Sequence, residues 1–396
     1  MSTRESTAHR RAVAQRDALL RAMLGPVLCT APGELRMLNP YWGDLGARFA
    51  WNNASFPPGG VEAFGSDVPE DLAALLIELF ENAVPEPNQV VTALARHTPC
   101  EAVDLLWMLA TERATAQEAD VLAGMGAEAA ALAERAAMGQ APNWPADATD
   151  DDEFLVRLIG ELTVGRAETV STQEKFGGRP GGRRVAVLRL REALGRLTMA
   201  APRGGASAVR LAVRRPAHAA GTQFIGDVLA YFRQREDLGA GAPIAVRVAD
   251  ALDEGARLRS SADPWLVVIA HSMGGNIVYD LLSHLRPDLG CDVLVTVGSQ
   301  VGLFAELGQF PAVPAPENPA QDRAPVPKGI RNWINVFDPV DILSFAISPI
   351  FAAGEDYRYS TGRGLLAAHS SYFRLPSFHR RLAERIAALL PAERHV

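Results

Sequence analysis

The residues best equipped for chemistry sit in one short stretch, Pro264-Trp-Leu-Val-Val-Ile-Ala-His-Ser-Met-Gly-Gly-Asn-Ile-Val-Tyr-Asp-Leu-Leu282. An apolar run over residues 265–270 stops at His271-Ser272-Met273-Gly274-Gly275, and an amphipathic helical pattern follows at once. The pattern predicts a buried strand, a tight turn with Ser272 at its apex, and a helix whose N-terminus points at the serine. Such a turn exposes one hydroxyl at a strand end and sets helix N–H groups beside it. A nucleophile whose transition state carries negative charge needs both.

A serine hydroxyl is a weak nucleophile without a base, and the base needs an acid to orient it. In strand-turn-helix sites of this kind the partners follow in the order Ser, Asp or Glu, His, each after a later strand. The chain supplies that order. Residues 333–337 read as a strand running into Asp338-Pro-Val-Asp341. A short strand at 356–360 runs into a loop that carries His369 and is followed by a helix.

The segments AHSMGG and NVFDPVD and the late loop histidine resemble the serine α/β-hydrolases of the lipase and esterase type. The likeness covers mainly residues 220–390, and Tyr41-Trp-Gly-Asp44 and Gly298-Ser299-Gln300 fit the same enzymes. The resemblance implies Ser272 as nucleophile, His369 as general base and Asp341 as orienting acid. It also implies Met273 as the source of one backbone N–H for the oxyanion. Asp338 competes with Asp341 for the acid role, and Asp341 is favoured because it follows the Pro-Val turn. His271 is read as a structural part of the elbow. His379, beside two arginines in the last helix, is expected at the surface, and His97, His218 and His284 have no partner pattern.

Two departures from the family pattern stand out. Ala270 replaces the first glycine of G-x-S-x-G, a small change. More serious, no His-Gly precedes Tyr41 to end an early strand and supply the second oxyanion N–H. The expectation is a sequence that begins just downstream of such a strand, with the first strand and oxyanion loop missing.

The elements that must position these residues are expected to form a doubly wound, mostly parallel α/β sheet with a large helical insertion. Residues 1–396 read as a single domain, with 66–220 as the insertion or cap. Helical spacing marks residues 8–24, 72–80, 103–109, 122–136, 154–162 and 185–199, and residues 147–153 read as an acidic linker. Residues 34–42 alternate like a strand, 43–65 read as loop, and 309–328 form a proline-rich loop. Helices are expected at 224–233, 244–258 and 378–390, and strands at 265–270 and 292–297. The arginine-rich stretch 176–216 reads as solvated helix and loops, or alternatively as a lid or a contact for an anionic surface. The apolar loop 342–351 reads as core, or as the wall of an acyl pocket.

Composition narrows the class of function. With 396 residues, 48% apolar and 21% charged, the chain has the make-up of a globular protein. A net charge of −7 argues against nucleic acid as the main partner. Three cysteines without a CxxC suggest neither a disulfide framework nor a zinc site, and a reducing, cytoplasmic setting is expected. No run approaches the roughly 18 apolar residues of a membrane span. No cofactor is called for. The expected function is hydrolysis of a carboxylic ester or lipid-like small molecule through an acyl-enzyme. The alternative is a weak or inactive binding or regulatory protein on a hydrolase scaffold, and acyl transfer to an acceptor other than water would use the same residues.

Overall fold

The structure, a computed structural model, describes residues 7–30, 35–50, 85–140, 147–169, 182–200, 206–363 and 367–390. The helix expected at 72–80 lies outside them. The chain is an α/β protein built on a four-stranded, all-parallel sheet: β1 (Val267–His271), β2 (Cys291–Val297), β3 (Ile330–Phe337) and β4 (Glu355–Arg358), in that spatial order. β2 is buried along its whole length, Asp292 and Thr296 included, in keeping with its largely apolar sequence, whereas β1 is mostly half-buried. Among the described residues no strand pairs with the other side of β1.

Side-chain alternation divides the sheet into two faces. Val293, Val295, Val297, Ile334 and Val336 point toward α1 (Thr7–Met23) and the last helix, where Leu19, Met23, Phe378, Leu382 and Ile386 meet them. On the opposite face Leu294 and Trp333 pack with Tyr231, Ile244, Ile277 and Tyr279. These come from α8 (Ala206–Leu238), α9 (Pro243–Arg257) and α10 (Met273–Asp280). Tyr279 stacks on Trp333 with ring centroids 5.5 Å apart, a favourable aromatic arrangement that locks α10 to β3.

A separate core joins α3 (Val90–His97), α4 (Pro99–Glu112), α5 (Ala116–Ala137), α6 (Asp151–Thr169) and α7 (Gly182–Ala200) around Trp107 and Phe154. Trp107 donates its indole N–H to Leu122 O at 2.8 Å, and a Cβ at Gly126 would lie 2.8 Å from that indole nitrogen, so glycine sets the α4–α5 approach. A buried link ties α4 to the main sheet region. Asp104 accepts from Ser377 Oγ at 2.6 Å, and Ser377 Oγ lies 2.7 Å from the Tyr359 hydroxyl. Burial raises the Asp104 carboxyl to about 6.

Three expectations need correction. Residues 35–42 form no strand. Pro40 has no N–H for a ladder, and the neighbouring groups find side chains instead: Arg36 N reaches Asp263 Oδ2, and Tyr41 O accepts from Arg247 at 2.7 Å. The acidic linker ends early, because Asp151 to Glu153 are the first turn of α6. Asp150 Oδ1 accepts Glu153 N at 2.8 Å, and carboxylates suit a helix N-terminus.

The third correction is His379, which is buried, not exposed. In the last helix, α13 (Pro376–Leu389), it shares the buried stripe of Leu382, Ala383 and Ile386, while Arg380 and Arg381 turn away. Its Nε2–H donates to Phe373 O at 3.1 Å, and burial lowers the imidazole to about 4. A buried neutral histidine gives stability that is present above the unfolded value of ~6.5 and lost as pH falls through about 4. The expected cost is roughly 2 kcal/mol between pH 7 and pH 5. Urea unfolding of wild type and His379→Gln at both pH values checks this. The difference between the two proteins cancels other groups, and an unchanged difference would remove His379 from acid sensitivity.

Candidate active site

The carboxyl ends of the strands bring the candidate residues together. Backbone bonds extend the sheet ladder past its last residues: Ser272 N to Val297 O, Gly298 N to Val336 O, and Tyr359 N to Phe337 O, each between 2.9 and 3.0 Å. Ser272, Gly298, Asp338 and the segment leading to His369 therefore emerge side by side. Crevices at this edge of a parallel sheet are the usual place for ligands and reactive groups.

Ser272 lies between β1 and α10 with φ 54° and ψ −128°. It is the one non-glycine residue with positive φ among the described residues. Such a conformation costs on the order of 1–3 kcal/mol and persists only where the surroundings enforce it. Here Ser272 O accepts from Gly275 N and from Ser299 Oγ, both at 3.0 Å. Gly275 is required for this packing, because a Cβ there would collide with Ser299 Oγ.

His369 sits in α12 (Ala368–Ser371), a single helical turn. Its Nδ1 lies 2.9 Å from Asp341 Oδ2 and 3.1 Å from Oδ1, and its Nε2 lies 2.8 Å from Ser272 Oγ. Asp341 can only accept, so Nδ1 carries the proton and the Nε2 lone pair faces the serine hydroxyl. All three side chains are buried, Ser272 completely. Low local dielectric strengthens such a chain of hydrogen bonds.

The two aspartates separate by their partners. Asp341 accepts from His369, from the Tyr372 hydroxyl at 3.1 Å and from Leu343 N at 3.0 Å. Asp338 never meets the histidine. Its Oδ1 accepts Val340 N, closing the turn, and its Oδ2 accepts Thr361 N and Oγ1 at 2.8 and 2.7 Å. It thereby clamps the segment that leads to His369.

His271 is not a second base. Its Nε2–H donates to His369 O at 2.8 Å, and its ring lies 4.8 Å from the His369 ring. Burial first, and then the neighbouring His369, hold its imidazole well below the usual histidine range, so it stays neutral. It braces the backbone of the residue that touches Ser272.

Met273 opens α10, where backbone N–H groups have no intrahelical acceptor. Its N–H follows Ser272 directly in sequence. Among the described residues no group of three or more His, Cys, Asp or Glu side chains could hold a metal. No helix of the described residues is long and apolar enough to cross a membrane.

Several further residues shape the site. Gly298 has φ 55°, and a Cβ there would lie 3.0 Å from Asp341 Oδ2 and 3.4 Å from His369 Nδ1. Only glycine leaves room for the acid–base pair. Gln300 accepts from Asn276 at 2.9 Å and donates to Gly298 O and Leu343 O, joining α10 to the loop after Asp341. Tyr372 links both aspartates, since its hydroxyl accepts from Asp338 N at 2.9 Å and donates to Asp341. Gly298 and Gln300 belong to the segment Gly298-Ser299-Gln300 singled out in the sequence, though with no role attached, and Tyr372 is marked only by its place three residues after His369.

The apolar loop 342–351 divides in two. Ile347 and Phe351 are core, with Phe351 5.0 Å from Trp333 and 5.2 Å from Tyr279. The Asp356 carboxylate holds the turn by accepting Ile347 N and Ser348 N. Val340 and Ile342, which flank Asp341, are 44% and 60% exposed.

Comparison with family models, with curated proteins and with solved structures finds no match to this chain.

Proposed function

We propose that this chain is a serine ester hydrolase of the α/β-hydrolase type. The observation that carries the reading is the buried relay from Ser272 Oγ through His369 to Asp341, with links of 2.8 and 2.9 Å. His369 Nε2 takes the hydroxyl proton as Oγ bonds to the acyl carbon. The imidazolium, held by Asp341, returns that proton to the leaving alkoxide, and the ester C–O bond breaks. Water then attacks the acyl-enzyme by the same proton path and frees the carboxylate. The Met273 N–H is assigned to the developing oxyanion.

Exposed Val340 and Ile342 beside the acid favour an apolar acyl or alcohol group in the substrate. Ser272 is buried, so a substrate reaches it only when the surrounding segments part. Cys29, Cys100 and Cys291 form no disulfide, which suits a reducing, cytoplasmic setting.

A series of p-nitrophenyl esters of increasing acyl length tests the proposal. Turnover above the buffer rate, with a preference for longer chains, is the expected result. No turnover of any member by folded protein would reject it. A second reading, a binding or regulatory protein with a silent site, is favoured by two observations: the closure over Ser272, and the open side of β1, where no described strand brings a second oxyanion donor.

A further inference from the structure

We infer that the groove between α5, α6 and α7 is a binding site for a long-chain fatty acid carboxylate. The groove has a volume of about 510 Å³, within the ~300–1,000 Å³ typical of small-molecule sites. Its walls are Met125, Ile159, Leu162, Val187 and Leu188, and Thr163 is the one uncharged polar side chain. None of these residues takes part in the Ser272 site, and the inference does not rest on the hydrolase reading.

The sequence of α7 explains why the groove exists. Its buried stripe, Ala186, Leu190, Ala193, Leu194 and Leu197, fills the helical core. Leu188 lies outside that stripe and is 56% exposed, with Arg184 and Arg191 one turn away on either side. A leucine so placed contributes little to the fold and presents apolar surface to a ligand.

The arginines around the groove differ in what they already do. Arg183 is held by Glu128 at 3.3 Å and by Leu162 O at 3.1 Å. Arg189, on the same helix, is matched by Glu118 and Glu192. Arg184 and Arg191 line the groove and form no ion pair among the described residues. An apolar trough with uncompensated guanidinium groups complements a hydrocarbon chain with one anionic head.

The walls select that occupant over two others. An extended peptide needs partners for both its backbone N–H and C=O groups, and the lining side chains, donor-only arginines and Thr163 apart, are apolar and leave the N–H groups almost without acceptors. A membrane surface is broad and would not fill a concave trough between three helices.

Equilibrium dialysis of radiolabelled palmitate, below its micellar concentration, against the full chain tests the inference. Saturable binding of one palmitate per chain is expected. The double variant Arg184→Glu/Arg191→Glu should weaken it at least tenfold, as should Leu188→Glu. All three positions are exposed, so these proteins should keep the wild-type circular dichroism spectrum. Hexadecanol, with the same tail and no charge, should bind at least tenfold more weakly. Absence of saturable binding would overturn the inference. So would palmitate binding unchanged by the arginine substitutions, which would place the ligand elsewhere, or retention by anionic phosphatidylglycerol vesicles alone.

Discussion

Replacing Ser272 by alanine should reduce kcat for an activated ester by about 10⁴–10⁶, the range seen when the nucleophile of such a relay is removed. The fold should survive, because the one side-chain hydrogen bond of Ser272 Oγ is to His369, and alanine removes only that oxygen. Alanine keeps the strained backbone at φ 54°, so its thermal midpoint should stay close to wild type. Glycine adopts that conformation without strain. Ser272→Gly should therefore be more stable than Ser272→Ala by roughly 1 kcal/mol while equally inactive. Ester kinetics and urea unfolding on the three proteins check both parts. A Ser272→Ala protein with the parental rate would show that the hydroxyl is not the nucleophile.

The second large effect separates the two aspartates. Asp341→Asn should lower kcat by about 10⁴, because an amide can donate to Nδ1 and turn the imidazole to the tautomer that cannot accept the serine proton. Asp338→Asn should act on stability. It weakens the clamp on Thr361 N and Oγ1, two buried bonds, at a cost of roughly 1–3 kcal/mol. Its kcat should fall far less, since His369 keeps its acid. The pair of variants, measured by kcat and by unfolding, should give opposite patterns. A larger kcat loss in Asp338→Asn would reverse the assignment.

Much of this arrangement is legible in the chain, for identifiable reasons. β1, β2 and the second half of β3 are short, mainly apolar runs that stand out without help from tertiary contacts, whereas β4, Glu355-Asp-Tyr-Arg358, is polar. Ser272 is conspicuous because a buried strand gives way to a helix with only a tight turn between them. The His369 position follows from chain order along a parallel sheet, whose carboxyl ends share one edge. Local sequence does not divide Asp341 from Asp338. Both follow β3 within four residues, and only their partners, His369 for one and Thr361 for the other, distinguish them.

The failures also have physical causes. The arginines beside His379 in sequence suggest a surface position, but a helix turns adjacent residues about 100° apart, so its environment is that of Leu382, Ala383 and Ile386. Residues 35–42 alternate like a strand, yet alternation cannot show that a partner strand is present. Gly298 and Tyr372 act through distances across the site, which no local pattern encodes. Asp104 reaches Ser377 across 273 positions of sequence, a contact that only the packed fold creates.

If His369 and Asp341 make Ser272 a nucleophile, Ser272 should react with an electrophile that mimics an ester. Treatment of the folded full chain with a fluorophosphonate, followed by intact mass and peptide mapping, tests it most directly. One adduct per chain on Ser272 is expected, prevented by prior alkylation of His369 and absent in Ser272→Ala. Folded wild-type protein that remains unlabelled, or is labelled at another serine, would contradict it.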